Sequence, residues 1–455
     1  MKQNIVRWVL LVLLTCLYVA LKYNGLIMPS NIISIFMGIL LFFLPLKEKI
    51  YALLFFIPFY LYIYVFSFAF YNVISLLTLF HMIIVGKKFD IRIIMLVAVL
   101  FGVDIFWQIY VGHTSFSYTI KWVLTLFLSF TIMKDEEFNF DKKFALFAYC
   151  LGTAIISAGT IIQYVGVDIN SITRGEIGGA LSSCNANTFS FYCLLALVGG
   201  VYLILNKNLC KNSIYENKLI KLFILALSSI SGVAGAMMLS KAYFLTFIIW
   251  LVLLIAFNAK DMRKFGIYFG VTIAMCIFIM AVPKTRELVF KVINRFNEKG
   301  SSLSEITTGR TDIFKYYFIA LFNHPLNLMF GAGLSSYQWF FNVPIKTIEG
   351  MPIITHNLIL EMVCSYGIVG MAILLYVYYK IITKYCKSYS NLNDLMLLII
   401  FICFSLSLAL YHEDVTNFVI LLCMIAAKNA QYVKKEEQIQ KASYYIVPKE
   451  SGVGA

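Results

Sequence analysis

Long apolar runs separated by short polar interruptions make up most of this chain. The runs fall at about 6–22, 31–46, 50–66, 68–86, 93–111, 119–133, 145–165, 187–205, 222–239, 242–257, 266–282, 357–380, 395–410 and 415–427. Most approach the roughly 20 residues that carry an α-helix across the hydrocarbon core. They are continuous rather than alternating, which excludes a β-barrel. The pattern predicts an all-α, polytopic membrane helical bundle of about 12–14 spans. The split near 66 and the short last run decide where the count falls. One interruption differs in kind: residues 283–355, rich in Gly, Arg, Thr and aromatics, ending in Thr355-His356-Asn357 as the next apolar run begins. Inside it, TDIFKYYFIALF at 311–322 sets Ile313, Phe314, Tyr317, Phe318 and Leu321 on one face. That spacing predicts an amphipathic helix on the membrane surface or packed on the bundle. Thr307 or Thr308 would cap it, and Pro325 and then Gly331-Ala332-Gly333 would mark an exit and a turn. The expected organisation is one membrane domain, 1–427, followed by a flexible polar tail, 428–455.

Composition and charge set the direction of the spans. The chain is 61% hydrophobic and only 13% charged, against about 25% charged in soluble domains. The net charge of +14 does not point to nucleic acid, because the basic residues sit in short loops between apolar runs, as topology signals do. With the N-terminus in the cytoplasm, 25 of the 37 Lys and Arg fall inside, and eight of the other 12 belong to the long loop. Both termini are therefore expected in the cytoplasm and 283–355 outside. Met1–Ala20 has the charge and apolar core of a secretory signal but no A-x-A site, and reads as an uncleaved first span. Most of the ten cysteines lie inside apolar runs, so neither a disulfide framework nor a metal-ligand spacing is expected.

Four outside cations remain in short loops. Lys22 and Lys121 stand at span ends, where long side chains snorkel. Arg174 precedes a Gly-, Ser- and Asn-rich stretch leading to Asn187 at the start of a span, and Ser240-Lys241 opens another. Thr308-Gly309-Arg310 opens the loop helix, and Thr355-His356-Asn357 opens the span at 357. All four places are outside-facing helix N-termini or lead into one. Such ends favour anions, and a cation added there opposes the dipole until something negative arrives. The repeated arrangement suggests a phosphate or pyrophosphate site, for which the planar arginine fork is suited. Each residue also has a plainer reading. Arg174 would solvate a loop, Lys241 would snorkel, Arg310 would pair with Asp312 or Glu305, and His356 would cap a helix at headgroup level. His356 has the proton affinity for acid–base work near neutral pH. Glu361 lies about 7–8 Å further along the same helix, where an ionisable group is a functional candidate or the partner of a basic loop residue. Asp104, His412, Glu413 and Asp414 read as structural. Tyr316, Tyr317, Tyr337 and Trp339 offer sugar-stacking surfaces or headgroup anchors.

In their order, these motifs resemble those of the bacterial O-antigen ligase/polymerase superfamily. The carriers are Arg174 with 182–187, Ser240-Lys241, Thr308-Gly309-Arg310, Gly331-Ala332-Gly333, His356-Asn357 and Gly367-x-x-Gly370. The resemblance runs over about 145–385. It implies a helical bundle of the glycosyltransferase C type, placed in the bacterial cytoplasmic membrane. It further implies metal-independent transfer of undecaprenyl-pyrophosphate-linked glycans, without a cofactor. Arg174 and Arg310 would hold the pyrophosphate and His356 would act as base on the acceptor hydroxyl. Lys241, Ser240, Asn187, Asn357 and Glu361 would complete the substrate site. Lys241 departs from the arginine more usual after that serine, which removes a bidentate grip. The bilayer, a chain-length regulator and a flippase are the expected partners. The reading is of a glycan polymerase, with a ligase to lipid A-core or another acceptor as the nearest alternative, and a polysaccharide flippase as the alternative of another class.

Overall fold

The computed structural model describes residues 2–60, 62–65, 68–87, 89–113, 116–134, 141–164, 186–205, 217–258, 310–344 and 352–387, with a few isolated positions between 266 and 438. The expected spans at 266–282, 395–410 and 415–427, the tail 428–455, most of 283–309 and Arg174 lie outside the described residues.

The described elements are helices α1 (Lys2–Tyr23), α2 (Ile27–Phe42), α3 (Leu46–Phe56), α4 (Phe70–Ile84), α5 (Ile91–Val111), α6 (Phe116–Lys134), α7 (Lys142–Gln163), α8 (Ala186–Leu205), α9 (Lys218–Met237) and α10 (Lys241–Asn258). The later part adds α11 (Arg310–Asn323), α12 (Pro325–Phe330), α13 (Tyr337–Phe340) and α14 (Leu358–Lys387). Among the described residues, six helices are long and apolar enough to cross a membrane, and α2, α4 and α10 are shorter apolar helices. The protein is a multi-pass helical membrane protein.

The run at 50–66 is a broken crossing rather than one helix. Helix α3 stops at Phe56, Pro58 sits in a single 3₁₀ turn over Ile57–Phe59, and a small hairpin pairs Tyr64 with Ala69 and Val65 with Phe68. The segment still runs the length of α1. Trp8 at one end of α1 donates to Glu48, and Lys22 at the other donates to the Tyr62 carbonyl. Such a break survives in a bilayer only where protein encloses it, and every residue of α3 from Ile50 to Phe56 is apolar and buried. A Cβ at Gly152 of α7 would collide with the Phe55 carbonyl, so glycine is what lets α7 lie against α3.

Seven hydroxyls inside the spans are satisfied within their own helices. Thr15, Thr78, Thr131, Thr153, Thr160, Ser228 and Ser231 each donate to the carbonyl four residues back, the usual way such side chains enter apolar helices. Two polar ends result. On the basic side, Lys49 donates to the Phe42 carbonyl at 2.9 Å and meets His81 Nδ1 at 2.6 Å. On the opposite end, called the loop side below, Lys22 lies 4.2 Å above the Tyr62 ring and Lys121 lies 5.3 Å above the Tyr60 ring. These two lysines do stand at span ends, but tyrosines of the 60–64 segment engage them from within the protein.

Candidate functional site

Helix α11 forms where the aromatic segment predicts it, extended by one residue at each end. Its buried face is Ile313, Tyr317, Ala320 and Leu321, while Phe318, expected on that face, is 52% exposed. The difference has a simple origin: α11 is apolar on two sides, and periodicity alone cannot say which one meets protein. The buried side forms a small core with Ala332, Tyr337, Phe341, Val343, Leu360 and Cys364. Pro325 marks the exit as expected, since α11 stops at Asn323 and His324 before the proline is non-helical; Pro325 then opens α12, where its missing N–H costs no hydrogen bond.

The Gly331-Ala332-Gly333 turn is a lock rather than a simple reversal. Helix α14 breaks at Gly367 (φ 68°, ψ −177°), which frees carbonyls one turn earlier. Ala332 N–H donates to the Cys364 carbonyl at 2.8 Å and Gly333 N–H to the Ser365 carbonyl at 2.9 Å. The fit demands glycine on both partners. A Cβ at Gly331 would strike Ser365 backbone and one at Gly367 would strike Met329 backbone, and both residues have positive φ. The same turn is anchored to α5. The buried Asp104 carboxylate accepts from Ser335 N–H at 3.0 Å, from Gln108 Nε2 at 2.9 Å and from the Thr119 hydroxyl.

From this turn, two tyrosines reach the segment that carries His356. Tyr317 hydroxyl donates to the Ile353 carbonyl at 2.6 Å, and Tyr337 hydroxyl accepts from Thr355 N–H at 3.3 Å. Both rings are fully buried, with centroids 5.5 Å apart, so neither is available to stack on a sugar. Tyr316 is engaged as well, donating to the Phe341 carbonyl at 2.8 Å, and Trp339 packs edge-on against His113 at 4.0 Å. Burial pushes both phenol groups well above the ordinary tyrosine range. Cys364 and then Glu361 add to this at Tyr317, and Glu361 leads the charge contribution at Tyr337. Glu361 is fully buried, and its charge acts on both phenols.

His356 stands half-buried between this clamp and α14. Its φ of +52° is in the left-handed region, which a non-glycine side chain enters at a cost. Buried Thr355 donates through Oγ1 to the Asn357 carbonyl at 3.1 Å, and Asn357 Oδ1 accepts from Leu360 N–H at 3.0 Å as the helix cap. The imidazole is thus presented just ahead of a capped helix N-terminus, as the sequence predicts.

The second group lies on α8 and α10. Ser240 hydroxyl donates to Asn187 Oδ1 at 2.8 Å and accepts from Tyr243 N–H at 3.4 Å, tying two helix N-termini together. Lys241, half-buried, is the first residue of α10, and Arg310, also half-buried, is the first of α11. The structure thus joins Ser240 to Asn187 directly, and joins His356, Asn357 and Glu361 to the helix that Arg310 heads. Helix α14 is common to both groups. Its Leu358, Met362 and Tyr366 belong to the core containing α8 and α10, and its Leu360 and Cys364 to the loop core. Among the described residues, no three His, Cys, Asp or Glu side chains gather as a metal site requires. The sequence reading assigned no part in the site to Asp104, and took Tyr317 and Tyr337 as contact surface rather than clamp. The placement of Tyr317 on the Ile313 face was the signal that it faces inward.

A family model described as O-antigen ligase matches residues 224–375. No curated protein matches the chain significantly. The matched stretch includes Ser240, Lys241, Arg310, His356, Asn357 and Glu361, together with both halves of the glycine lock, and begins after Asp104, Arg174 and Asn187. On a multi-pass helical bundle, this match over about a third of the chain supports the O-antigen ligase/polymerase superfamily, whose members are glycosyl-transferring enzymes.

Proposed function

We propose that the protein polymerises undecaprenyl-pyrophosphate-linked oligosaccharide repeats at the outer face of the bacterial cytoplasmic membrane, with both termini in the cytoplasm. The observation that carries this reading is the delivery of His356. A left-handed backbone, a buried threonine and two tyrosine hydrogen bonds hold it at a helix N-terminus, and Lys241 and Arg310 each stand first in a helix of their own. In the reaction, the acceptor hydroxyl oxygen attacks the anomeric carbon of the donor glycan and gives its proton to His356. The bond from that carbon to the pyrophosphate oxygen breaks, and its electron pair leaves on undecaprenyl pyrophosphate. Arg174, Lys241 and Arg310 stabilise the charge that accumulates there. Asn357, Glu361, Ser240 and Asn187 shape the walls around it.

The test is His356→Ala and Arg310→Ala, read by the length of the surface glycan at matched protein level. Accumulated single repeats support polymerisation. Long lipid-linked chains that never reach an acceptor would make the enzyme a ligase instead. Full-length surface glycan in both variants would remove His356 and Arg310 from the mechanism.

A further inference from the structure

We propose that residues 322–336 are a re-entrant segment: the chain enters the hydrocarbon layer from the loop side, turns at Gly331–Ser335, and presents Phe322, Leu326, Met329 and Phe330 to lipid acyl chains. Two spanning helices measure the depth separately. On α14, the carbonyls that receive Ala332 and Gly333 belong to Cys364 and Ser365, about 10 Å along the helix from Leu358. On α5, the carboxylate that receives Ser335 N–H belongs to Asp104, again about 10 Å from the helix end at Val111. Both helices are apolar enough to cross a membrane over Ile94–Val111 and Leu358–Tyr376. The turn therefore lies alongside the two spans and not above them.

Irregular backbone at that depth requires protein partners for its polar groups, and this turn has them. Besides the three bonds just named, Gly331 N–H donates to the Asn327 carbonyl at 2.7 Å and Tyr337 N–H to the Gly333 carbonyl at 3.1 Å. Asn327 Nδ2 donates to the Gly331 carbonyl at 3.0 Å, and Ser336 Oγ to the Ala332 carbonyl at 2.7 Å. The chain then climbs to Trp339, which meets His113 just past the end of α5, a position typical of interfacial tryptophan.

The opposite face of the segment identifies its occupant. Residues 316–330 contain no Asp, Glu, Lys or Arg, yet Phe322, Leu326 and Phe330 are 71%, 75% and 61% exposed. A face of this kind in water would be a large apolar patch. The two spans it packs against expose apolar side chains of the same kind, Phe106 and Ile109 on α5 and Ile368 and Val369 on α14. Acyl chains fit all of it, and no Asp, Glu, Lys or Arg is present to select a protein partner; His324 stands at the loop-side entry. The foot of the clamp on His356 then stands in the lipid layer, open to substrates that arrive by lateral diffusion.

The experiment places single cysteines at Phe322, Leu326 and Phe330, with exposed Lys315→Cys as the water-side position, in the full-length protein in membranes. Labelling by a polar, membrane-impermeant maleimide is compared with the wild-type background. A fluorophore at each site is then tested for quenching by lipids brominated on the acyl chain. Labelling at Leu326→Cys and Phe330→Cys should be roughly tenfold slower than at Lys315→Cys, because thiolate formation is disfavoured where water is excluded, and both fluorophores should be quenched. Labelling as fast as at Lys315→Cys would return the segment to water. Protection without bromine quenching would mean that protein covers the face, and would equally overturn the proposal. Depth is read without reference to glycan transfer, so either reading can fail while the other stands.

Discussion

A single hydroxyl, that of Tyr337, holds the Thr355 amide at 3.3 Å beside a histidine whose φ is +52°. A left-handed non-glycine residue costs about 1–2 kcal/mol, and a buried hydrogen bond of this kind contributes a similar amount. Tyr337→Phe should therefore let the 353–356 segment relax with little effect on the fold. Misplacing a catalytic group by about 1 Å costs up to a hundredfold in rate, so glycan transfer should fall between about ten- and a hundredfold at normal protein level. Activity equal to wild type would show that His356 needs no clamp. The same phenols set an alkaline limit. Burial and the neighbouring Glu361 raise both tyrosines above their unfolded value, which is about 10. The folded form then binds protons that the unfolded form releases, so stability is whole below about pH 10 and declines above it. Thermal unfolding in detergent across that range should show the decline, and Tyr317→Phe should reduce its slope.

At the scale of elements, the fold depends on places where a helix stops being a helix. Helix α3 ends at Phe56 ahead of Pro58, and α14 opens at Gly367 to accept the Gly331–Gly333 turn. A Cβ at Gly367 would meet Met329 and Phe330 backbone in a region of positive φ, so neither side can yield by turning a side chain. Gly367→Ala should destabilise by at least about 1–3 kcal/mol, seen as a lower unfolding temperature and reduced accumulation in the membrane. Asp104 serves the same junction from α5. Asp104→Ala strands Ser335 N–H in a buried site, at a cost on the order of 1–3 kcal/mol. Asp104→Asn keeps an acceptor there and should fall between the two. Equal stability of all three proteins would mean that the Asp104–Ser335 bond does not anchor the turn.

At the scale of the whole molecule, the spans were legible because a crossing helix must be apolar along its length. The run at 187–205 became α8 at Ala186–Leu205, and the run at 93–111 became α5 at Ile91–Val111. The cap at Asn357 was legible because a capping residue stands next to what it caps. The junctions were not. Asp104 meets a residue 231 positions away, and nothing local in either segment announces the other. Likewise Gly331 and Gly367 look like separate breakers until their backbones interlock. The consequence is that the first part of the chain, which contains none of the candidate site residues, supports the site from outside the family-matching segment. A chain beginning at Lys142 keeps every one of those residues, from Arg174 to Glu361, together with the whole of 224–375. It loses Asp104 and also Trp8, whose ring packs on Phe144 at 5.3 Å. Helices in a bilayer associate through such packing and hydrogen bonds rather than through exclusion of water, so a separately inserted partner can supply them. The Lys142–Ala455 chain alone should make no detectable long glycan, and co-expression with residues 1–134 should restore part of it. Restoration should weaken when the supplied piece carries Asp104→Ala, because the turn that steadies Tyr337 then loses its hydrogen bond to α5. Full glycan length from Lys142–Ala455 alone would show that the matched segment positions His356 without help.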